Sequence, residues 1–285
     1  KRILGESVPF MDLENSRILE EIESLSSRKR WQEIREMLLL FEPADTADIL
    51  AELPEDRLPV VYRLLPKELA AEVFVEMEPE EQELLIQTFS DTELKEVLDE
   101  LYVDDTVDLI EEMPASVVKR ILRHADPETR RSVNEILKYP EDSAGSIMTT
   151  EFVDLKRDMT VSDALKRIRR TGVDKETINI CYVTDPSRRL LGLVSIRTLL
   201  LADQEDAIEE IMETNVVSAT TMDDKEDVAQ DLSKYDFLAM PIVDKEHRLV
   251  GIVTIDDAID VMEEETTEDF ELMAAITPTD KPYLR

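Results

Sequence analysis

No glycine stands between Gly5 and Gly145, and prolines punctuate the same stretch at about the length of a short helix: Pro43, Pro54, Pro66, Pro79, Pro114 and Pro127. Without glycine a chain has little access to left-handed turns, and a proline opens or ends a helix because it lacks an amide hydrogen. Apolar residues over 14–138 follow a 3.6-residue period, and β-branched runs are few. The first half is therefore expected to be short helices joined by tight proline-containing turns. An internal repeat supports this. Ala44–Pro54 aligns at an offset of 60 with Asp104–Pro114, and weaker copies start near Pro66 and Ser90. Repeated helical hairpins stack into a superhelix, each burying its neighbour's apolar face. In each copy Asp45 or Asp105, followed three residues later by another acid, reads as a capping box at a helix start. Asp104 and Asp108 are also spaced i,i+4, so one helix face can carry both; there they repel unless a cation or solvent intervenes.

The periodicity changes after Tyr139-Pro140. Residues 147–202 and 211–262 carry one pattern twice. Ile147-Met148 matches Ile211-Met212, and each is followed by a short strand, at Val153 in the first copy and Val216-Val217 in the second. A helix comes next, over 161–170 and 225–234. Cys181–Asp185 then matches Met240–Asp244, and Arg189–Ser195 matches Arg248–Thr254. The last two segments make a hairpin in which glycine relieves a tight backbone approach. Both copies end in a helix. The fold class is thus multidomain α+β: an all-α superhelix, then a tandem α/β module, then a long acidic helix.

Charge narrows the chemistry. The chain carries 33 Lys+Arg against 67 Asp+Glu, net −34, and the excess is uneven. Residues 1–140 hold 17 basic and 34 acidic side chains; 141–200 hold 10 and 9; 201–280 hold 4 and 24. Such a balance argues against nucleic acid and against an anionic membrane surface as partners. One cysteine, Cys181, excludes a disulfide framework and a cysteine zinc site, and two histidines leave little soft-metal chemistry. Any metal bound here would be a hard one held by oxygens. No nucleophile–base pair or phosphate loop points to an enzyme. From Asp256 to Ala275 there is no glycine, proline or basic residue, while Asp256, Asp260, Glu264 and Glu268 follow i,i+4 spacing; Ile255, Ile259 and Met262 read as its core-facing edge. A surface helix normally intersperses bases, and acids near its C-terminus oppose the macrodipole. Cations are what such a helix lacks.

The duplicated pattern resembles a tandem pair of CBS domains, a Bateman module. CBS pairs commonly bind adenosine nucleotides, with a Ser/Thr opening the last helix and an Asp three residues on holding the ribose. The second copy keeps that motif as Thr254-Ile255-Asp256-Asp257; the first reads Ser195-Ile196-Arg197-Thr198. Arg197, Thr254 and Asp257 are therefore the nucleotide-binding candidates, and ATP or another adenine nucleotide the ligand implied. Taken whole, the chain resembles the cytosolic part of the MgtE magnesium transporter family. The most specific stretches are Tyr139-Pro140-Glu141-Asp142-Ser143-Ala144-Gly145-Ser146-Ile147-Met148-Thr149, Lys234-Tyr235-Asp236-Phe237 and Gly251-Ile252-Val253-Thr254-Ile255-Asp256-Asp257.

That resemblance implies a helical N domain over 1–138, CBS domains over 139–202 and 203–262, and a connecting or plug helix over 256–276. Residues 277–285 would lead into a membrane pore domain absent from this sequence. It implies Mg²⁺ ligands at Asp104 and Asp108, at Glu226 and Asp236 with Asp224 as an extra one, and at Asp257, Asp260 and Glu268, with a backbone carbonyl near Gly145 or Ser146; Glu264, from the acidic stripe, is added to the metal candidates. It implies a homodimer through the CBS domains at the cytoplasmic face of the cell membrane. Ions bridging acidic surfaces would favour a compact, closed state. The alternatives are a nucleotide-sensing CBS regulator and an acidic interaction scaffold, neither gated by metal.

Overall fold

The computed structural model describes residues 10–273. The chain falls into two compact units. One takes the described residues up to Leu101 together with Asp105–Arg130; the other takes Tyr102–Asp104 and the described residues from Arg131 onward.

The first unit is built from α1 (Phe10–Ser27), α2 (Trp31–Leu38), α3 (Pro43–Ala51), α4 (Leu58–Tyr62), α5 (Lys67–Val75), α6 (Pro79–Thr88), α7 (Asp91–Leu98), most of α8 (Val103–Glu112) and α9 (Ala115–His124); α10 (Pro127–Ile136) straddles the division. The prolines do what their chemistry requires. Pro43, Pro79 and Pro127 are the first residues of α3, α6 and α10, and Pro66 and Pro114 cap α5 and α9. At those positions the missing amide hydrogen has no intrahelical partner to lose. Alternate helices stack, α1 on α3, α3 on α5, α5 on α7 and α7 on α9, while α4 packs on α6. Their shared core includes Leu50, Phe74, Leu85, Leu94 and Ile121, all at most 1% exposed. Tyr62 and Phe74 tilt against Phe89 at ring-centroid distances of 5.6 and 6.5 Å.

Two details differ from the sequence reading. The offset-60 match joins α3 to α8, five helices later, an odd number and so not a whole number of two-helix steps. Asp45 and Asp105 are not caps either: each is the third residue inside its helix, where a carboxylate complements the positive end of the dipole. The complete capping box lies at Ser90 and Glu93. There the Ser90 hydroxyl accepts from Glu93 N at 3.2 Å and the Glu93 carboxylate accepts from Ser90 N at 2.7 Å.

The second unit holds the duplicated module. The first copy contains β1 (Val153–Lys156), α11 (Val161–Thr171), β2 (Ile180–Thr184), β3 (Leu190–Ser195) and α12 (Ile196–Leu201). The second contains a short α13 (Ile208–Ile211), β4 (Ala219–Thr220), α14 (Lys225–Tyr235), β5 (Ala239–Val243), β6 (Leu249–Thr254) and α15 (Ile255–Met273). Each copy makes a three-stranded mixed sheet, β1-β2-β3 or β4-β5-β6, with the first pair parallel and the second antiparallel. The second copy's first strand falls at 219–220 and not at Val216-Val217. Val216 instead packs against the core between the copies, with Tyr182, Leu249 and Ile252.

The two Ile-Met segments explain the two glycines. A Cβ on Gly192 would lie 2.6 Å from the Glu213 carbonyl oxygen, and one on Gly251 would lie 2.6 Å from Met148 Sδ and 2.8 Å from the Thr149 carbonyl oxygen. Each copy's leading segment thus lies against the other copy's last strand. Leu193 and Glu213 exchange hydrogen bonds at 2.9 Å, as do Thr149 and Ile252.

Candidate functional site

The acidic helix α15 grows directly out of β6, and its start is fixed chemically. The Thr254 hydroxyl and amide both donate to the Asp257 carboxylate, the amide at 3.3 Å. The first copy makes a neutral version of the same start. Ser195 Oγ accepts from Thr198 N at 3.0 Å and lies 2.9 Å from Thr198 Oγ1. Where the second copy holds a carboxylate, the first holds a hydroxyl. Arg197 is exposed on α12, whereas Thr254 is buried.

Beyond its first turn α15 packs beside α14. Ala258 and Val261 face inward at 0% and 3% exposure, whereas Ile259 and Met262 are 49% and 38% exposed. The inward face is therefore one residue out of step with the expected edge of Ile255, Ile259 and Met262. A wide apolar arc left the rotation open, and the small Ala258 side chain permits the closer approach. Outward lie Asp256, Asp260, Glu263 and Glu264, all exposed. The Glu268 side chain and residues 274–285 lie outside the described residues.

The cation missing from α15 comes partly from its neighbour. Lys225, the first residue of α14, places Nζ 3.4 Å from Glu264 Oε2, and its side chain is only 14% exposed. Asp224 caps α14, its carboxylate accepting from Glu226 N at 2.9 Å. Asp236 ends the helix at a left-handed φ of 54°. Glu226 and Asp236 are exposed at opposite ends of α14. The Ala-Gly segment is stapled to this region by backbone bonds from Ala144 N to Asp223 O (2.8 Å), Gly145 N to Thr221 O (3.1 Å) and Lys225 N to Asp142 O (3.1 Å).

Asp104 and Asp108, near the start and middle of α8, differ in environment: Asp104 is 5% exposed and Asp108 open to solvent. Both have interaction partners. Among the described residues no group of three or more His, Cys, Asp or Glu is arranged to hold a metal ion. Glu226, Asp236, Asp260 and Glu264 are exposed acids on or beside α14 and α15, whereas Asp104 is buried. Mg²⁺ accepts one or two carboxylates and keeps several waters, so this donor chemistry suits it better than a metal demanding an all-protein shell.

The order of modules is as specific as the individual residues. Family models match at residues 41–142, as the MgtE intracellular N domain, and at 144–205 and 208–264, each as a CBS domain. The cytosolic domain of the Mg²⁺ channel MgtE, solved in complex with ATP, is 39% identical, superposes with a TM-score of 0.80 and covers 85% of this chain and 99% of its own. The chain belongs to the MgtE family. A second solved structure, described as the soluble part of a magnesium transporter, is 30% identical with a TM-score of 0.79, covering 88% of this chain and 99% of its own. The magnesium transporter MgtE of Thermus thermophilus is 40% identical over 254 residues, 88% of this chain but 56% of the relative. The chain thus spans about half the length of the curated MgtE relatives it matches. No helix among the described residues is long and apolar enough to cross a membrane.

Two features of the site were not read from the sequence. Lys225 as the base beside α15 depends on a contact 39 residues apart. A cluster of cations beside β1, Arg167, Lys175 and Arg188, draws on one helix and two loops.

Proposed function

We propose that this chain is the Mg²⁺-sensing and gating region of a magnesium transporter, working at the cytoplasmic face of the membrane and continuous with a pore domain. The observation that carries this reading is α15: 19 residues with no base of their own and a row of exposed acids at Asp256, Asp260, Glu263 and Glu264. Family membership and the exposed Glu226 and Asp236 at the two ends of α14 support it.

In this reading Asp257, Asp260, Glu264 and Glu268 on α15, with Asp224, Glu226 and Asp236 around α14 and Asp104 and Asp108 on α8, supply carboxylates to hydrated Mg²⁺. Because these acids repel one another, the compact arrangement is favoured only when cations neutralise it; binding that prefers one state shifts the population towards it. Lys225 takes part in the same balance, since Glu264 exchanges one cation for another. A Mg²⁺ titration followed by small-angle scattering tests the proposal. The wild-type radius of gyration falls as Mg²⁺ rises, and the response is lost in Asp257→Ala with Asp260→Ala. An unchanged radius and unchanged protease sensitivity in the wild type would sink it.

Nucleotide binding is the second reading. It is favoured by the Thr254–Asp257 pair, whose carboxylate is placed to accept from hydroxyls, with Arg197 as the cation on the other copy. Calorimetry with ATP, wild type beside Arg197→Gln, checks it. A homodimer through the CBS pair is also proposed, because Leu200 and Leu201 on α12 are 65% and 77% exposed. A monomeric mass by light scattering would refute it.

A further inference from the structure

Beside β1, the edge strand of the first copy's sheet, lies a cleft of about 390 Å³ whose lining includes Phe152 and Leu249 on the apolar side and Arg167, Lys175 and Arg188 on the charged side. In a chain of net charge −34, three bases around one cavity are unexpected. A single acid, Asp154, shares the lining.

Asp154 does not neutralise the cleft, because its charge is already answered. Arg167 donates to its carboxylate and, through Nε, to its carbonyl oxygen at 2.7 Å; Lys156 Nζ, from the same strand, lies 3.1 Å from the other carboxylate oxygen. Burial pushes the Asp154 carboxyl up, but the hydrogen bonds from Arg167 and Lys156 outweigh that and hold it below its ordinary value. Lys175 and Arg188 are then left over, neither of them ion-paired among the described residues.

Arg188 is also held in place. It occupies a left-handed φ of 67° in the turn after β2, where Asp185 Oδ1 accepts from Ser187 N at 2.7 Å and from Arg189 N at 2.9 Å. Its carbonyl oxygen accepts from Leu249 N at 2.9 Å, and its guanidinium donates to the Leu249 carbonyl oxygen at 3.2 Å. That bond uses one of five donors, leaving a planar fork for an oxyanion. Phe152 is steadied by edge contact with the fully buried Tyr182, centroids 6.1 Å apart at 89°.

We propose that this cleft binds a phosphate ester, with its phosphoryl oxygens on Lys175 and Arg188 and its carbon portion against Phe152 and Leu249. The volume is of the size that small-molecule sites occupy. The proposal rests neither on Mg²⁺ sensing nor on the nucleotide candidates Arg197, Thr254 and Asp257, none of which lines this cleft.

The test is calorimetric titration of the whole chain at low salt without divalent metal, using AMP, ribose 5-phosphate and inorganic phosphate as probes. The two esters separate a nucleotide source from a sugar phosphate. At least one ester is expected to bind more tightly than inorganic phosphate. Lys175→Gln with Arg188→Gln should weaken it by about tenfold or more, as loss of charged hydrogen bonds does, while Lys166→Gln, an exposed base on α11 outside the cleft, changes it by less than about twofold. If the double variant melts early, Lys175→Gln alone decides, and must weaken binding by at least about threefold. The proposal is overturned if no ester binds, if inorganic phosphate binds as well as both esters, or if Arg197→Gln abolishes binding that the cleft variants keep.

Discussion

The Glu93 carboxylate serves two donors at once. Arg63 Nε reaches one oxygen at 2.6 Å, and the Ser90 amide reaches the other at 2.7 Å. The Arg63 hydrogen bond, followed by the bonds to Ser90, lowers its pKa from 4.5 to about 2. A depressed carboxylate pKa contributes stability that is complete above the unfolded value and lost as pH falls through the folded one. Glu93→Gln should therefore lower the melting temperature at neutral pH, by the equivalent of about 1 kcal/mol for a lost cap interaction. The gap to wild type should close as pH drops from 4.5 towards 2, the window those values define. Thermal melts across that range check it, and a gap constant with pH would mean the carboxylate charge is irrelevant. Cys181 illustrates the opposite case. Burial pushes its thiol up to about 12, which suits a core residue and no redox or nucleophilic role.

Elements were legible wherever their signals were local. Proline positions marked the starts of α3, α5, α6, α9 and α10, and the repeated Gly-containing hairpins located both CBS sheets, because each depends on neighbours a few residues away. Gly251 gives the sharpest test at this scale. In Gly251→Ala the new methyl group would meet the Thr149 carbonyl oxygen at 2.8 Å, a backbone atom that cannot step aside as the Met148 side chain can. Overpacking of this kind costs about 1–3 kcal/mol. A denaturant midpoint unchanged from wild type would show that the leading segment yields without loss. What the sequence concealed has a common physical origin. The rotation of α15 was ambiguous because five of its first eight residues are apolar, and only contact with α14 selects Ala258 and Val261. The Lys225–Glu264 pair and the cations around β1 arise from residues far apart in the chain, so no window of local pattern contains them. The candidate metal residues were likewise named from family resemblance and charge, and among the described residues no three His, Cys, Asp or Glu side chains are arranged to hold a metal ion.

Across the whole molecule the question is whether the excess of acid acts as diffuse charge or as specific ligands. Diffuse repulsion is relieved by any salt, since exposed charges further apart than about 10 Å are largely screened at 0.1 M ionic strength. Ligation is different. Mg²⁺ exchanges some water for carboxylate oxygen at short range, which a monovalent ion does poorly. The acids of 201–280, 24 against 4 bases, make both effects available. The uneven distribution separates them, because the near-neutral segment 141–200 carries the first CBS copy and should respond to neither. Millimolar MgCl₂ should slow hydrogen exchange in α15 and reduce its cleavage by protease, whereas NaCl at equal ionic strength should leave both nearly unchanged. α11 and β2 should be indifferent to either salt. If NaCl matches MgCl₂, the carboxylates act only as a screened cloud, and the sensing proposal loses its chemical basis. If MgCl₂ alone protects α15, and Asp257→Ala with Asp260→Ala removes that protection, then charge excess and ligand set are the same feature, and the helix without bases is ordered by the ion it detects.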